Sequence, residues 1–391
     1  MGSPRGREIL DYLRDQRDEM IEFLRILVTS ESPSVVPGAQ REVRQILTDA
    51  LHSVGFKTLH LAGRESGGQL FARPAKRIRH RPCQLLLGHY DTVWPLGTLT
   101  DMPFQVDGST IKGPGVFDMK GGLTQIIFAL KCMREMKLEP EVTPVVYVNS
   151  DEEIGSRDST RHIKSLARFV NRALVLEPSL GPSGKIKTAR KGVGRFIVKV
   201  KGKAAHAGLD PESGASAILE LSHVIQALFA LNDAEKGITV NVGTIDGGLR
   251  PNVIAPTSRA IVDVRVRTQE DAEHIQKKIS ALESVTPGVT LDIEGRIGRP
   301  ALEPTPRNQS LWRLAHELGK EIGLQLEQGL AGGGSDGNTT SQYTATLDGL
   351  GPVGDGAHAP HEFLDLDQTT ERAALLTLLL LAPALAAEAR H

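Results

Sequence analysis

The hydrophobic pattern of this chain changes its period twice, and that change constrains the fold more than any other feature. Up to about Arg190, short continuous apolar runs alternate with helical stripes. Cys83–Leu87, Val145–Val148 and Ala173–Leu176 read as strands buried on both faces, and Gly121–Leu138 reads as a helix. Further upstream, Arg7–Val28 carries Ile9, Leu10, Leu13, Met20, Ile21, Leu24 and Leu27 at the spacing of an amphipathic helix. A second helix fits Gln40–Val54, stopped at Gly55. This alternation predicts an α/β domain with a mostly parallel sheet flanked by helices, in which reactive side chains collect at the strand C-termini.

From Arg190 the pattern becomes a strict alternation, Phe196, Val198 and Val200 interleaving with Arg195, Ile197 and Lys199. A helix over Gly214–Leu231 follows, then strands at Ile238–Val242 and Arg259–Val266, a helix at Gln269–Leu282 and a strand at Val289–Ile293. The order β-α-β-β-α-β predicts a self-contained α+β module of the ferredoxin-like kind. The earlier pattern resumes after Arg299-Pro300 with a helix over Ser310–Ile322. The module is therefore expected to be an insertion at 190–298, dividing the α/β domain into 1–189 and 299–391.

Composition narrows the partners. The 391 residues suffice for two cores, and 46 basic against 47 acidic residues leave a formal charge of −1. No global basic field exists to draw in nucleic acid or anionic lipid, and such a partner would need a local patch. Aromatic residues at 4% argue against stacking platforms for single strands. The longest apolar stretch, the fifteen residues Ala373–Ala387, falls short of the ~20 that cross a bilayer and reads as a buried C-terminal helix. Neither a nucleic-acid nor a membrane partner is expected. Cys83 and Cys132, with no secretory apolar region behind Met1, predict reduced thiols in a cytoplasmic protein.

Five fragments at strand ends or glycine-rich turns offer metal-binding groups: Gly88-His89-Tyr90-Asp91-Thr92, Gly113 to Gly122 around Asp118, Ser150-Asp151-Glu152-Glu153, Leu176-Glu177-Pro178, and Gly356 to Glu362 around His358. Singly each is weak. Together, His89, His358, Asp118, Glu153 and Glu177 form a donor set suited to paired zinc, because close metals need a bridging carboxylate. Three carboxylates against two Zn²⁺ leave one positive unit to stabilise hydroxide, which suits hydrolysis. Glu152 could then move a proton from water to a leaving amine, and Asp91 could hold the His89 imidazole.

On GHYDTVWPLGTL, GPGVFDMKGG, DEEIGSRDS, GKAAHAG and GGGSD, the chain resembles the co-catalytic zinc amidohydrolases and peptidases. These include acetylornithine deacetylase, succinyl-diaminopimelate desuccinylase and aminoacylase, and the resemblance is strongest to bacterial glutamate carboxypeptidases. It covers nearly all of His89 to Glu362 and implies a catalytic zinc-peptidase domain with an inserted lid and dimerisation domain. By it, His89 and Glu177 bind one zinc, Glu153 and His358 the other, Asp118 bridges them, Glu152 is the base and Asp91 supports His89. It also implies a cis peptide after Asp118. His206 matches a lid histidine that polarises the scissile carbonyl of the partner subunit's substrate, so a homodimer is expected. Arg265 matches an arginine that grips the substrate's α-carboxylate, with Asn252 and the backbone at Gly334 as further contacts.

Departures from the family pattern bear on selectivity. His361 stands where relatives carry Asp or Asn, competing with His358 as a ligand. Phe117 replaces a small residue, and the stretch His358 to Glu362 is one residue shorter than in glutamate carboxypeptidases; both changes are expected at the rim of the site. On residues alone, Arg265 could equally pair with Asp263 or Glu270. The implied reaction is hydrolysis of an amide or peptide bond releasing a C-terminal L-amino acid, with glutamate expected. An N-acyl-amino-acid deacylase or a dipeptidase would use the same machinery, and Co²⁺ or Mn²⁺ could replace zinc. A two-metal phosphoesterase would need Arg265 on phosphate. A non-catalytic binding protein should have lost Glu152 or a ligand, and none is missing.

Overall fold

A computed structural model describes residues 3–386 except 77 and 79. The chain forms two compact units, one from Met1–Thr188, Pro304–Leu330 and Ser335–His391, the other from Ala189–Glu303 with Ala331–Gly334.

The first unit is built on six strands in the order Phe56–Leu61, Gln69–Pro74, Thr143–Asn149, Cys83–His89, Arg172–Val175 and Ala345–Leu347. The last four pair in parallel and the first two are antiparallel additions. The apolar runs have no polar alternation because both faces of the sheet are covered. Leu86, Val146, Val148 and Leu174 enter the larger core, while Leu85, Val145, Tyr147, Ala173 and Val175 enter a smaller one with Ile163 of the Thr160–Ala167 helix. The Gly121–Glu135 helix is buried on nearly every side, as an all-apolar helix of a layered core must be.

The expected N-terminal helix is two, Pro4–Asp15 and Arg17–Thr29, with Gln16 between them out of helical geometry. The apolar stripe lapses between Leu13 and Met20, so no burial holds the turn at Gln16 and Arg17 in line. Gln16 instead accepts a hydrogen bond from Lys131 at 2.7 Å.

The second unit is a four-stranded antiparallel sheet in the order Thr239–Gly247, Thr257–Val266, Gly192–Lys201, Thr290–Arg299, with helices Ala217–Phe229 and Gln269–Ser280. This is the ferredoxin-like arrangement. Phe196, Val198, Val200, Val262 and Val264 turn inward to its own core. The last strand runs on well past Ile293 because Gly295 and Gly298 and a polar outer face erase the alternation that marks a strand.

The C-terminal helix Leu366–Leu381 is buried through most of its length and ends ahead of Pro383; the far end of the apolar stretch, Ala387, lies outside the described residues. Its last carbonyls are taken up by Arg172, wholly buried at the start of a central strand. That guanidinium donates to Leu379 O at 3.0 Å, Ala382 O at 2.7 Å, Pro383 O at 2.8 Å and the Gln84 side chain at 2.8 Å. Burial alone lowers its pKa, to about 10, and the negative end of the helix helps keep it charged. Arg172→Met should therefore cost about 2–4 kcal/mol, since it leaves buried carbonyls unpaired. A thermal melt of the variant should show a drop of several degrees, and an unchanged melt would refute the capping role.

Candidate metal centre

The C-terminal ends of three central strands and two turns bring seven ionisable side chains together in the first unit. His89 ends the strand Cys83–His89, and its Nε2 lies 3.2 Å from Asp118 Oδ1 and 3.4 Å from Glu177 Oε1. His358 Nε2 lies 3.0 Å from Glu153 Oε2 and 3.5 Å from Asp118 Oδ2. The two oxygens of Asp118 thus face different imidazoles. Glu152 and Glu153 are adjacent yet diverge: ligand atoms of His89, Glu152 and Glu177 lie within 4.8 Å of one another, as do those of His89, Asp118 and Glu153.

Local backbone chemistry makes this convergence. The peptide bond Asp118–Met119 is cis. Ahead of it, Gly115 takes φ +75°, where a Cβ would meet Thr92, so glycine is needed for the turn to approach. Gly122 lets the Gly121–Glu135 helix come up against Leu176, beside Glu177; a Cβ there would sit on the Leu176 carbonyl.

Charge decides the protonation. Burial disfavours the His89 imidazolium, but hydrogen bonds to Asp118, Asp91 and Glu177 outweigh it and hold the pKa well above the ordinary value. Burial likewise opposes ionisation of Asp118, and the two imidazoles overcome it, holding the carboxyl well below the usual range. The hydrogen bonds to Asp118 and Glu153 raise His358 to about 10. Burial and then the Asp118 charge push Glu153 up to about 7. The carboxylates thus favour the protonated imidazoles that face them.

The donors fit divalent metal. Two imidazoles and three carboxylates converge, and Glu153 Oε1 is buried with no hydrogen-bond partner among the described residues. His361 is exposed and turns toward Gly356 instead, so of the two histidines His358 faces the carboxylates.

Two buried carboxylates support the cluster, the expected Asp91 and, outside the expected set, Glu362. Asp91 is fully buried, and its carboxylate accepts from Ser34 Oγ at 2.6 Å and from the Glu152 and Glu153 amides at 3.2 Å each. It contacts His89 Nδ1 at 3.4 Å, but the nearer partner of that nitrogen is the Asp91 carbonyl at 3.0 Å. Asp91 thus anchors the turn of both glutamates as much as the imidazole. Glu362, with no exposed surface, accepts from Trp94 Nε1 and Gly115 N at 2.8 Å, Phe117 N at 2.9 Å and Asp118 N at 3.0 Å. Its four-residue distance from His358 was the only sequence signal for it; nothing in the sequence points to Ser34. Phe117 is not at a rim: its ring is buried in the larger core and only its amide serves the site.

The remaining candidates belong to the second unit. His206 Nδ1 accepts from the amides of Gly208 at 3.2 Å and Leu209 at 3.1 Å, which leaves the proton on the exposed Nε2. The neighbouring Ala207 amide donates to the Asn252 carbonyl at 3.0 Å, so these two segments lie side by side. Arg265, on the strand Thr257–Val266, is engaged by Asp263 through 2.7 and 3.1 Å hydrogen bonds. Gly334 sits in the short segment Ala331–Gly334.

The family model described as Peptidase family M20/M25/M40 matches residues 85–382. The chain is 27% identical over 383 residues to carboxypeptidase G2 of Pseudomonas sp. (strain RS-16), covering 95% of this chain and 91% of that protein. The aminopeptidase PepT of Bacillus cereus has a similar fold, with a TM-score of 0.81 at 20% identity over 93% of this chain and 98% of that one. So does a dinuclear metal-binding peptidase of the M20 family from Bacillus subtilis, with a TM-score of 0.68 at 16% identity over 94% and 98% of the two chains.

The raised pKa of His358 carries a stability consequence. Its folded value of about 10 lies above the ordinary 6.5, so the stabilisation is complete below about 6.5 and is lost as pH rises through 10. Melting of chelator-stripped protein should fall across that interval, and saturating divalent metal should remove the decline because it takes the proton's place. A flat profile for stripped protein would contradict the His358 contacts.

Proposed function

This chain belongs to peptidase family M20/M25/M40, hydrolases of peptide and amide bonds, and from that premise we propose that it releases a C-terminal L-amino acid, glutamate foremost, from an acyl or peptidyl substrate. The observation that carries the hydrolytic reading is the division of the Asp118 oxygens between His89 and His358. The glutamate reading rests on the resemblance of motifs such as GHYDTVWPLGTL and DEEIGSRDS to glutamate carboxypeptidases, and the likeness to carboxypeptidase G2 along 95% of the chain supports the carboxypeptidase reading.

In this proposal His89 and Glu177 would hold one divalent metal and Glu153 and His358 the other, with Asp118 available to both. Zinc suits these donors, with Co²⁺ or Mn²⁺ as substitutes. When bound, such a pair polarises the scissile carbonyl and makes water acidic near neutral pH. Glu152 takes the proton of the attacking water and delivers it to the amide nitrogen. Water oxygen joins the carbonyl carbon, the C–N bond breaks, and the amine departs with that proton. Asp91 keeps the glutamate turn in place. His206, its Nε2–H directed outward, donates to the carbonyl oxygen, and Arg265 exchanges Asp263 for the substrate α-carboxylate beside Asn252 and the Gly334 backbone.

The amino-acid panel tests this directly. Stripped protein restored with Zn²⁺ should release one amino acid from a set of acyl-glutamates, other N-acyl amino acids and dipeptides. Release confined to N-acetyl amino acids or dipeptides would replace the carboxypeptidase reading. Glu152→Ala should bind metal and fold yet lose at least 100-fold in kcat, because only the proton carrier is gone. Wild-type turnover would sink that assignment.

The proposed lid also makes a homodimer. The strand Thr239–Gly247 is an edge strand, and Ile245, Leu249, Ile218 and Leu219 in this unit are exposed apolar residues. Light scattering should give a dimer that Ile245→Asp dissociates, and a wild-type monomer would overturn the proposal. We place the protein in the cytoplasm, where Cys83 and Cys132 stay reduced; no helix of the described residues is long and apolar enough to cross a membrane.

A further inference from the structure

We propose that this protein carries a second ligand site, for a small organic anion with an apolar body, at the end of the six-stranded sheet opposite the metal centre. The two strands Cys83–His89 and Thr143–Asn149 run in parallel, so His89 and Asn149 end together near the carboxylates while Cys83 and Thr143 begin together at the far end. Strands of this length span about 20 Å. At that far end, wholly within the first unit, lies a cavity of about 380 Å³.

Its walls carry four cations, Lys76, Arg81, Arg134 and Lys137, against the single carboxylate of Glu139. The floor is apolar: Phe56, Leu130 and Met133 are buried there. Arg73 lies near Lys76 and Arg81 in the chain, and no acidic residue occurs between Glu65 and Asp91. Here, in a chain of net charge −1, is the local patch that its overall composition lacks.

These cations are not consumed by the fold. Arg81 gives one nitrogen to the Pro140 carbonyl at 2.8 Å. The side chains of Lys76, Arg134 and Lys137 have no ion-pair partner among the described residues. A helix end explains one cation at most: the Gly121–Glu135 helix stops here, yet its last turn is closed by its own amides, Leu138 N donating to Met133 O at 2.8 Å. Lys137 occupies the left-handed position after that helix, φ +56°, where glycine costs less, so a charge is kept at a backbone cost.

Four like charges around one cavity repel each other, and an anion relieves that repulsion. Guanidinium and ammonium groups on the rim recognise a sulfonate, phosphate or carboxylate head, while the floor takes an aryl or short acyl body.

Naphthalene-1-sulfonate is a suitable probe because it carries both parts and is a poor metal ligand. Titration calorimetry on metal-loaded protein should show one equivalent bound. Inorganic sulfate and 1-naphthol, the two halves, should each bind at least tenfold more weakly. Arg134→Ala with Lys137→Ala, both exposed positions, should weaken the probe at least tenfold while leaving the melt and the turnover of the free enzyme unchanged. His358→Ala should bind the probe as well as wild type. The proposal is overturned by absence of saturable binding, by probe affinity that survives the double substitution, by sulfate binding as tightly as the probe, or by loss of binding in His358→Ala, which would assign the probe to the metal centre.

Discussion

Carboxylates crowd the C-terminal edge of the six-stranded sheet, and the surroundings supply partners that reduce the cost of burying them. Backbone amides are prominent among these partners. Glu362 collects three of them and an indole N–H, Asp91 two and a serine hydroxyl, and Asp151 those of Asp158 and Ser159. Peptide N–H groups carry partial positive charge without adding a titratable group, so they offset part of the burial that pushes the Glu362 and Asp151 carboxyls up. Glycine-rich turns, strand ends and a cis peptide are the backbone forms that aim amides inward at one point.

This contrast separates the proposed ligands from Glu362. Asp118, Glu153 and Glu177 have imidazoles as near neighbours, whereas Glu362 is engaged by amides and an indole N–H, and Asp91 has both kinds of partner. A carboxylate already satisfied by the backbone is a poor metal donor. One paired with a protonated imidazole would exchange that proton for a divalent cation, which both groups could bind.

Much of this was legible in the sequence. Buried strands announced themselves because both sheet faces are covered, and the alternation in Phe196 to Val200 marked a sheet with one wet face. The residues of the cluster were legible because each follows an apolar run or a glycine turn. Less visible features depend on distance in the chain. Ser34 meets Asp91 across 57 positions and Trp94 meets Glu362 across 268, and no local pattern encodes either contact. The Arg265–Asp263 pair was one of two pairings the sequence allowed, and alternation on a strand chose it by putting both side chains on one face. The break at Gln16 hid because two helices with collinear apolar patterns read as one.

The fastening of the Leu366–Leu381 helix by Arg172 has a consequence for biosynthesis. Ala373 to Leu380 belong to the same core as the first helices, and the Arg172 contacts join residues more than 200 positions apart. On the ribosome, that core stays open until the last of its helices has emerged, long after its strands have been made. The second unit, almost entirely one continuous stretch with a core of its own, can close while the first is still waiting. The nascent chain therefore passes through a stage in which a finished small domain hangs within an unfinished large one, with exposed apolar strands that a chaperone has reason to cover.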